Sequence, residues 1–184
     1  MNLPKQEPIF FDTDNLACFL WVDNRAILPL LFPGRIFVSE QVEKEVVKVP
    51  YLRSRFEILQ THGAIKSISI EMDTPEEEEY YKLIDTSDRS KKIIGAGEAS
   101  CMVLAKFRNG IIASNNTIDI HDYCVANNIK QIKTGDILQL ACKKKFITEE
   151  DCEKLWQEML ATGRWLTAPT YKEYIKNNPC VDFL

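Results

Sequence analysis

Apolar positions along the chain follow two rhythms. Short apolar runs with the length of strands occur at Ile9-Phe10-Phe11 and at Ile111-Ile112-Ala113, and RIFVS from Arg35 to Ser39 and IKQI from Ile129 to Ile132 read as further strands. AIKSISI, from Ala64 to Ile70, alternates apolar with polar at period two, as a half-exposed strand does. Between these runs the spacing lengthens to three and four. Leu16 to Val22 starts a helix, a second spans about Arg25 to Leu31 before Pro33-Gly34, and Val42, Val46 and Val49 mark one face of EQVEKEVVKV, with Ser39 placed to cap it. Tyr51 to Gln60 carries more helix. Thr74-Pro75-Glu76-Glu77 reads as a capping box with proline at the first helical position, and Tyr80, Tyr81, Leu83 and Ile84 supply that helix with a buried face, so its run of glutamates is structural.

Further on, Ile118 to Asn127 reads as a helix with Tyr123, Cys124, Val125 and Ala126 turned inward. Thr134-Gly135-Asp136 opens ILQLACKKKF, whose terminal lysines suit a helix C-terminus. Thr148-Glu149-Glu150-Asp151 caps a helix with an apolar stripe at Cys152, Leu155, Trp156, Met159 and Leu160, closed by Gly163, and a short helix fits the tail. The stripe suits core packing, with a homodimer contact as its other use. The resulting order, β-α-α-β-α-β-α-α-β-α-β-α-α, predicts an α/β fold in three layers, α/β/α, around a mostly parallel central sheet.

The stretch from Ile93 to Asp119, IIGAGEASCMVLAKFRNGIIASNNTID, is where chemistry concentrates. Gly95-Ala96-Gly97 turns into a helix whose first turn carries Glu98 and whose remainder is apolar at Cys101, Met102, Val103, Leu104, Ala105 and Phe107, the mark of a central helix. The strand Ile111-Ile112-Ala113 stops abruptly at Ser114-Asn115-Asn116-Thr117, with Asp119 beyond. The first strand likewise stops at Asp12-Thr13-Asp14-Asn15. Open α/β sheets place ligands outside the carboxyl ends of their strands. Asp14 fits the N-cap of the following helix, whereas Asp12 has no capping role and faces the crevice. Topology therefore converges Asp12, Glu98 and Asp119, with Glu45, beside the Val42-Val46 face, as a fourth.

Composition narrows the chemistry such a cluster performs. The 184 residues, 45% hydrophobic and 27% charged, suit one ordinary domain. The N-terminus has no signal-peptide core and no apolar run reaches the length of a membrane span, so the expectation is a cytoplasmic protein with no membrane partner. Cysteines 18, 101, 124, 142, 152 and 180 are scattered without a C-x-x-C pair, which argues against a zinc site or a disulfide framework. With only His62 and His121 present, carboxylates remain as ligands for a hard cation such as Mg²⁺ or Mn²⁺. The net charge of −4 argues against broad nucleic-acid coating, while Arg89, Lys91 and Lys92 form a small basic cluster that reads chiefly as solvated surface.

The ordered segments F-F-D-T-D-N-L, V-S-E-Q-V-E-K-E-V, G-A-G-E-A-S, I-I-A-S-N-N-T-I-D and T-G-D-I-L, over roughly residues 8 to 147, resemble the PIN-domain family of VapC-like toxin ribonucleases and related nucleases. The resemblance implies a PIN-like domain over 1–147 with a C-terminal helical extension, 148–184, packed on it. It implies Asp12, Glu45, Glu98 and Asp119 as catalytic residues, with Asp12, Glu98 and Asp119 on Mg²⁺ or Mn²⁺ and Glu45 reached through water. Thr13, Asp14, Asn115 and Asn116 stand behind them. RNA, single-stranded or structured, is then the expected substrate, and an antitoxin protein and a second copy of the chain are the expected protein partners. The chain departs from the family where many members carry T-D-D after the fourth strand: here stand Ser114-Asn115-Asn116, and the nearest carboxylates are Asp119 and Asp122. Two alternatives follow. One is a PIN-like scaffold that binds RNA or protein without cutting. The other is a haloacid-dehalogenase-like phosphatase, whose D-x-D opening F-F-D-T-D-N-L also resembles, although Leu16 replaces the small hydroxyl or valine expected there.

Overall fold

The computed structural model describes residues 6–22, 24–87 and 93–180, with Asp119 described by its backbone alone. Five strands, β1 (Ile9–Phe11), β2 (Ile36–Ser39), β3 (Ile65–Ile68), β4 (Ile111–Ala113) and β5 (Lys130–Ile132), form one sheet in the order β3-β2-β1-β4-β5. Every pairing is parallel, with Ile9 opposite Ile36 and Ile111, Ile36 opposite Ile65, and Ile111 opposite Lys130. The mostly parallel sheet expected from the pattern is thus wholly parallel. Central β1 and β4 are buried on both faces and read as unbroken apolar runs, as strands sandwiched between helices must. Edge strand β3 is half-exposed as expected, but Lys66 and Ser67 are both exposed in succession, so the burial does not follow the strict period of two: an edge strand lacks cover on part of both faces.

The helices are α1 (Thr13–Trp21), α2 (Ile27–Leu31), α3 (Glu40–Val46), α4 (Pro50–Thr61), α5 (Pro75–Ile84), α6 (Ala96–Phe107), α7 (Thr117–Ala126), α8 (Thr134–Lys143), α9 (Glu149–Ala161) and α10 (Tyr171–Asn177). The helix α6 is central, as its composition predicts: Gly97 and everything from Ala99 to Ala105 is buried, and it packs on β1, β2, β4, α3, α5 and α7. The stripe of α9 goes into the core. Trp156 is buried, packs against Tyr171 and Tyr174 of α10, and donates its indole N–H to the Ala168 carbonyl at 3.0 Å. Tyr174 lies across Gly135 at the start of α8, where a Cβ would fall 2.2 Å from its ring, and its hydroxyl donates to Asp136 at 2.7 Å. A glycine is required there for α10 to close on α8.

Several local expectations are corrected. The helix after β2 stops at Val46 rather than running to Val49, and Pro50 starts α4. Thr74 does not cap α5 with its side chain: its hydroxyl donates backwards to the Glu71 carbonyl at 2.6 Å. Tyr81 and Val125 are 58% and 67% exposed, so the buried faces of α5 and α7 are narrower than their apolar content suggested. The box at Thr148 and Asp151 forms as read, with the Asp151 N–H donating to the Thr148 hydroxyl at 3.1 Å and the Asp151 carboxylate accepting from the Thr148 N–H at 2.9 Å. Arg89, Lys91 and Lys92 lie outside the described residues. No helix among the described residues is long and apolar enough to cross a membrane.

Candidate functional site

The site is built where the two central strands end. The Asp12 N–H donates to the Ala113 carbonyl at 2.9 Å and the Ser114 N–H to the Ile132 carbonyl at 3.0 Å, so the last ladder bonds hold Asp12 and Ser114 side by side at the carboxyl edge of the sheet. From there the Ser114 hydroxyl donates to Asp12 Oδ2 at 3.2 Å, and the Thr13 N–H donates to Asp12 Oδ1 at 2.7 Å. Asp12, and not Asp14, is therefore the N-cap of α1, since the extended backbone of the strand end already has the conformation an N-cap needs. Asp14 sits exposed in the first turn and pairs with Arg164 at 3.2 Å.

Asp12 is buried, with 5% of its surface exposed. Loss of solvation, and next the negative charge of Glu98, raise its carboxyl from the ordinary 3.8 to about 7, against the opposing hydrogen bonds from Thr13 and Ser114. Asp14 adds a smaller push in the same direction. No cation appears among the contacts of Asp12 in the described residues.

Glu45 and Glu98 complete the described part of the site. Glu45 projects from α3 toward the start of α6, where it accepts a short hydrogen bond from the Thr13 hydroxyl. A Cβ on Gly97 would lie 3.2 Å from Glu45 Oε2, tighter than ordinary contact, so this glycine leaves room for the carboxylate at the positive end of the α6 dipole. Ser100 Oγ, 2.6 Å from both the Gly97 carbonyl and the Ser39 hydroxyl, ties that turn to the start of α3. Glu98, half-buried in the first turn of α6, accepts from Asn116 Nδ2 at 2.6 Å. The buried Cys101 thiol registers the gathering. Burial comes first, and then the charges of Asp12, Glu98 and Glu45 push it well above its ordinary range.

The two asparagines divide. Asn116 faces the site, its amide nitrogen on Glu98 and its Oδ1 accepting the Ile118 N–H at 3.2 Å at the start of α7. Asn115 turns away: its Oδ1 accepts the Thr134 N–H at 3.0 Å, which anchors the start of α8, and its amide nitrogen lies 3.7 Å from Cys18 Sγ. Asp119 falls in the first turn of α7, while its side chain lies outside the described residues. Among the described residues no three His, Cys, Asp or Glu side chains stand close enough together to hold a metal ion. The sequence reading missed Ser114 as a partner of Asp12, Gly97 as the seat of Glu45, and Arg164. The first had a signal, a hydroxyl directly after a strand end; the other two depend on contacts 52 and 150 residues apart, which no local pattern reveals.

The comparisons with known proteins bear on the family and the fold. A PIN domain family model (DUF3368) matches residues 8–178. Among solved structures, a chain in the crystal structure of VapBC2 from Rickettsia felis, bound to a DNA fragment from the promoter, is similar in fold with a TM-score of 0.50. The match has 16% identity and covers 68% of this chain and 97% of that one. The comparison with curated proteins finds no match.

Proposed function

The chain belongs to the PIN-domain family, and from that premise we propose that it is a metal-dependent endonuclease, with RNA as substrate, that hydrolyses phosphodiester bonds at the Asp12-Glu98 edge of the sheet. The observation that carries the reading is the buried Asp12, lifted to about 7 and facing the negative charge of Glu98 with no cation in contact among the described residues. An acid so placed calls for a positive charge. Its donors are hard oxygens, which fit Mg²⁺ or Mn²⁺. Mg²⁺ commonly takes only one or two protein carboxylates and keeps several waters, so the fit does not require three described ligands in contact.

In this reading Asp12 and Glu98 hold the ion, Asp119 joins them from α7, and Glu45 acts through water. When bound, the ion supplies a nucleophile at neutral pH and neutralises charge on the scissile phosphate. The remaining work belongs to the chain. Asn116 fixes the Glu98 carboxylate, Thr13 fixes Glu45, and Ser114 with the Thr13 N–H orients Asp12. The family match replaces the haloacid-dehalogenase-like reading of F-F-D-T-D-N-L.

A toxin role would add an antitoxin segment laid over this groove. The likeness to a VapBC2 chain motivates that search, and copurification with a neighbouring antitoxin would support it. The second reading, a scaffold that binds without cutting, is favoured by Asn115-Asn116 standing where an aspartate is expected. The test is calorimetric titration with Mg²⁺ and Mn²⁺ of the parent, Asp12→Asn and Asp119→Asn, beside RNA cleavage by the parent and Glu98→Gln. Weakened metal binding in both aspartate variants and loss of cleavage in Glu98→Gln support the nuclease. Cleavage retained by Glu98→Gln overturns it, and a parent that binds RNA but no metal selects the scaffold.

A further inference from the structure

A nucleic acid approaching Asp12, Asp14, Glu45 and Glu98 meets negative charge, so the groove needs a cation of its own to hold a phosphate. The loop after α9 supplies one. Arg164 reaches back across the chain to Asp14, with Nη1 3.2 Å from Oδ1, and Asp14 is close enough to Asp12 for its charge to bear on that carboxyl. The Asp14 side chain is 70% exposed and that of Arg164 28%, so the pair is a surface ion pair of small net value and can be exchanged for a stronger anion. Arg164 Nε is buried without a partner among the described residues, so it is the outer Nη end of the planar fork, which now holds Asp14, that would meet a phosphate.

The next residue is Trp165, 59% exposed. The other two tryptophans are used inside the fold: Trp156 is buried, and Trp21 stacks on Tyr51 with ring centroids 4.8 Å apart. Trp165 is held out in water by a fixed loop. Behind it the Gly163 N–H donates to the Leu160 carbonyl at 2.9 Å and the Arg164 N–H to the Met159 carbonyl at 3.3 Å; ahead of it Leu166 is buried and the Ala168 carbonyl receives the Trp156 indole. An arginine paired with Asp14 at the carboxylate edge, followed directly in sequence by an exposed tryptophan, supplies the two elements that hold single strands: a cation for the backbone and an aromatic face for an unstacked base.

We propose, resting on the nuclease reading of the neighbouring site, that the loop after α9 is its substrate wall and selects single-stranded nucleic acid. Arg164 takes a backbone phosphate, releasing Asp14, and Trp165 stacks one base.

The test uses the full-length protein and a fluorescein-labelled oligouridine, with the oligodeoxyuridine and a duplex RNA of equal length as the other arms. Oligouridine should quench the tryptophan fluorescence of the parent but not of Trp165→Phe, and Trp165→Ala should weaken binding roughly tenfold. Arg164→Gln should weaken it to a similar degree and flatten the dependence of log K on log salt by about 0.7, with Arg164→Lys recovering the slope. A purely structural arginine would leave that slope unmoved. Equal binding of both oligonucleotides places recognition on backbone and base alone, as proposed. Unchanged affinity, quenching and slope in the variants, duplex bound as tightly as single strand, or a parent that binds none of the three overturns the proposal. A parent that cleaves while Trp165→Ala and Arg164→Gln keep its KM defeats the substrate wall alone; a parent that binds through these residues but never cleaves defeats the nuclease reading alone.

Discussion

Two groups of acids flank α6 and are treated in opposite ways. On the α5 side, Glu76 is buried and meets Arg108 at 2.9 Å, while Glu79 accepts from Lys106 and from the Tyr123 hydroxyl, each at 2.6 Å. Partial burial disfavours the Glu79 charge, but the bonds from Lys106 and Tyr123 outweigh it and keep its carboxyl below the ordinary value. On the sheet side, Asp12 is just as buried as Glu76, receives only a backbone N–H and a serine hydroxyl, and is raised to about 7. The first group has been neutralised within the chain, as structural acids are. In the second, Asp12 meets no cation among the described residues, at the edge where parallel sheets bind ligands. The difference is a better guide to function than burial or acidity alone.

The comparison breaks first on activity. At saturating Mg²⁺, Glu98→Gln should lower the initial rate of RNA cleavage at least about a hundredfold, since an ion site supplies several kcal/mol to the transition state. Glu79→Gln, on the other side of α6, should stay within roughly twofold, and equal losses would erase the distinction. Next in size is stability. Arg108→Gln leaves Glu76 buried without its cation and should cost roughly 2–3 kcal/mol in urea unfolding, less than a fully buried broken pair because Arg108 is itself partly exposed.

Asp12→Asn should act in the opposite sense. A carboxyl raised from 3.8 to about 7 in the folded protein favours the protonated form. Its contribution to stability is complete below pH about 4, is lost as pH rises toward 7, and is absent above. Without divalent ions the variant should therefore be more stable than the parent at pH 8, by about 1–3 kcal/mol, and the gain should shrink at pH 5. Added Mg²⁺ should stabilise the parent and not the variant; the same gain at both pH values would show that Asp12 ionises normally. The smallest effect is expected at Asn116→Ala, which removes one hydrogen bond from the Glu98 carboxylate and should weaken Mg²⁺ binding by about tenfold, read by calorimetry.

Much of this was legible along the chain. Strands β1, β2 and β4 declared themselves as apolar runs, α6 by being apolar on all sides, and Asp12 and Glu98 by interrupting such segments with charge. The misreadings share one cause. Thr74 matched a capping box and Tyr81 and Val125 matched buried positions, yet side-chain hydrogen bonds and burial at a helix surface depend on which neighbour covers it. The glutamates of α5 read as first-turn charges favourable to a dipole, and the cations that neutralise Glu76 and Glu79 sit 32 and 27 residues away on α6 and its C-cap.

The sequence by itself determined the order of elements, the wholly α/β character and the delivery of Asp12 and Ser114 to one sheet edge. Those follow from local periodicity and from the parallel crossover rule, which places successive strand ends together. Only the tertiary structure decided which acids acquire partners. That choice turns on contacts such as Thr13 with Glu45, Asn116 with Glu98 and Arg164 with Asp14, made between elements distant in sequence. Desolvation and Coulomb interactions act through space over a few ångströms, so the chemistry of Asp12 appears only once the chain has folded around it.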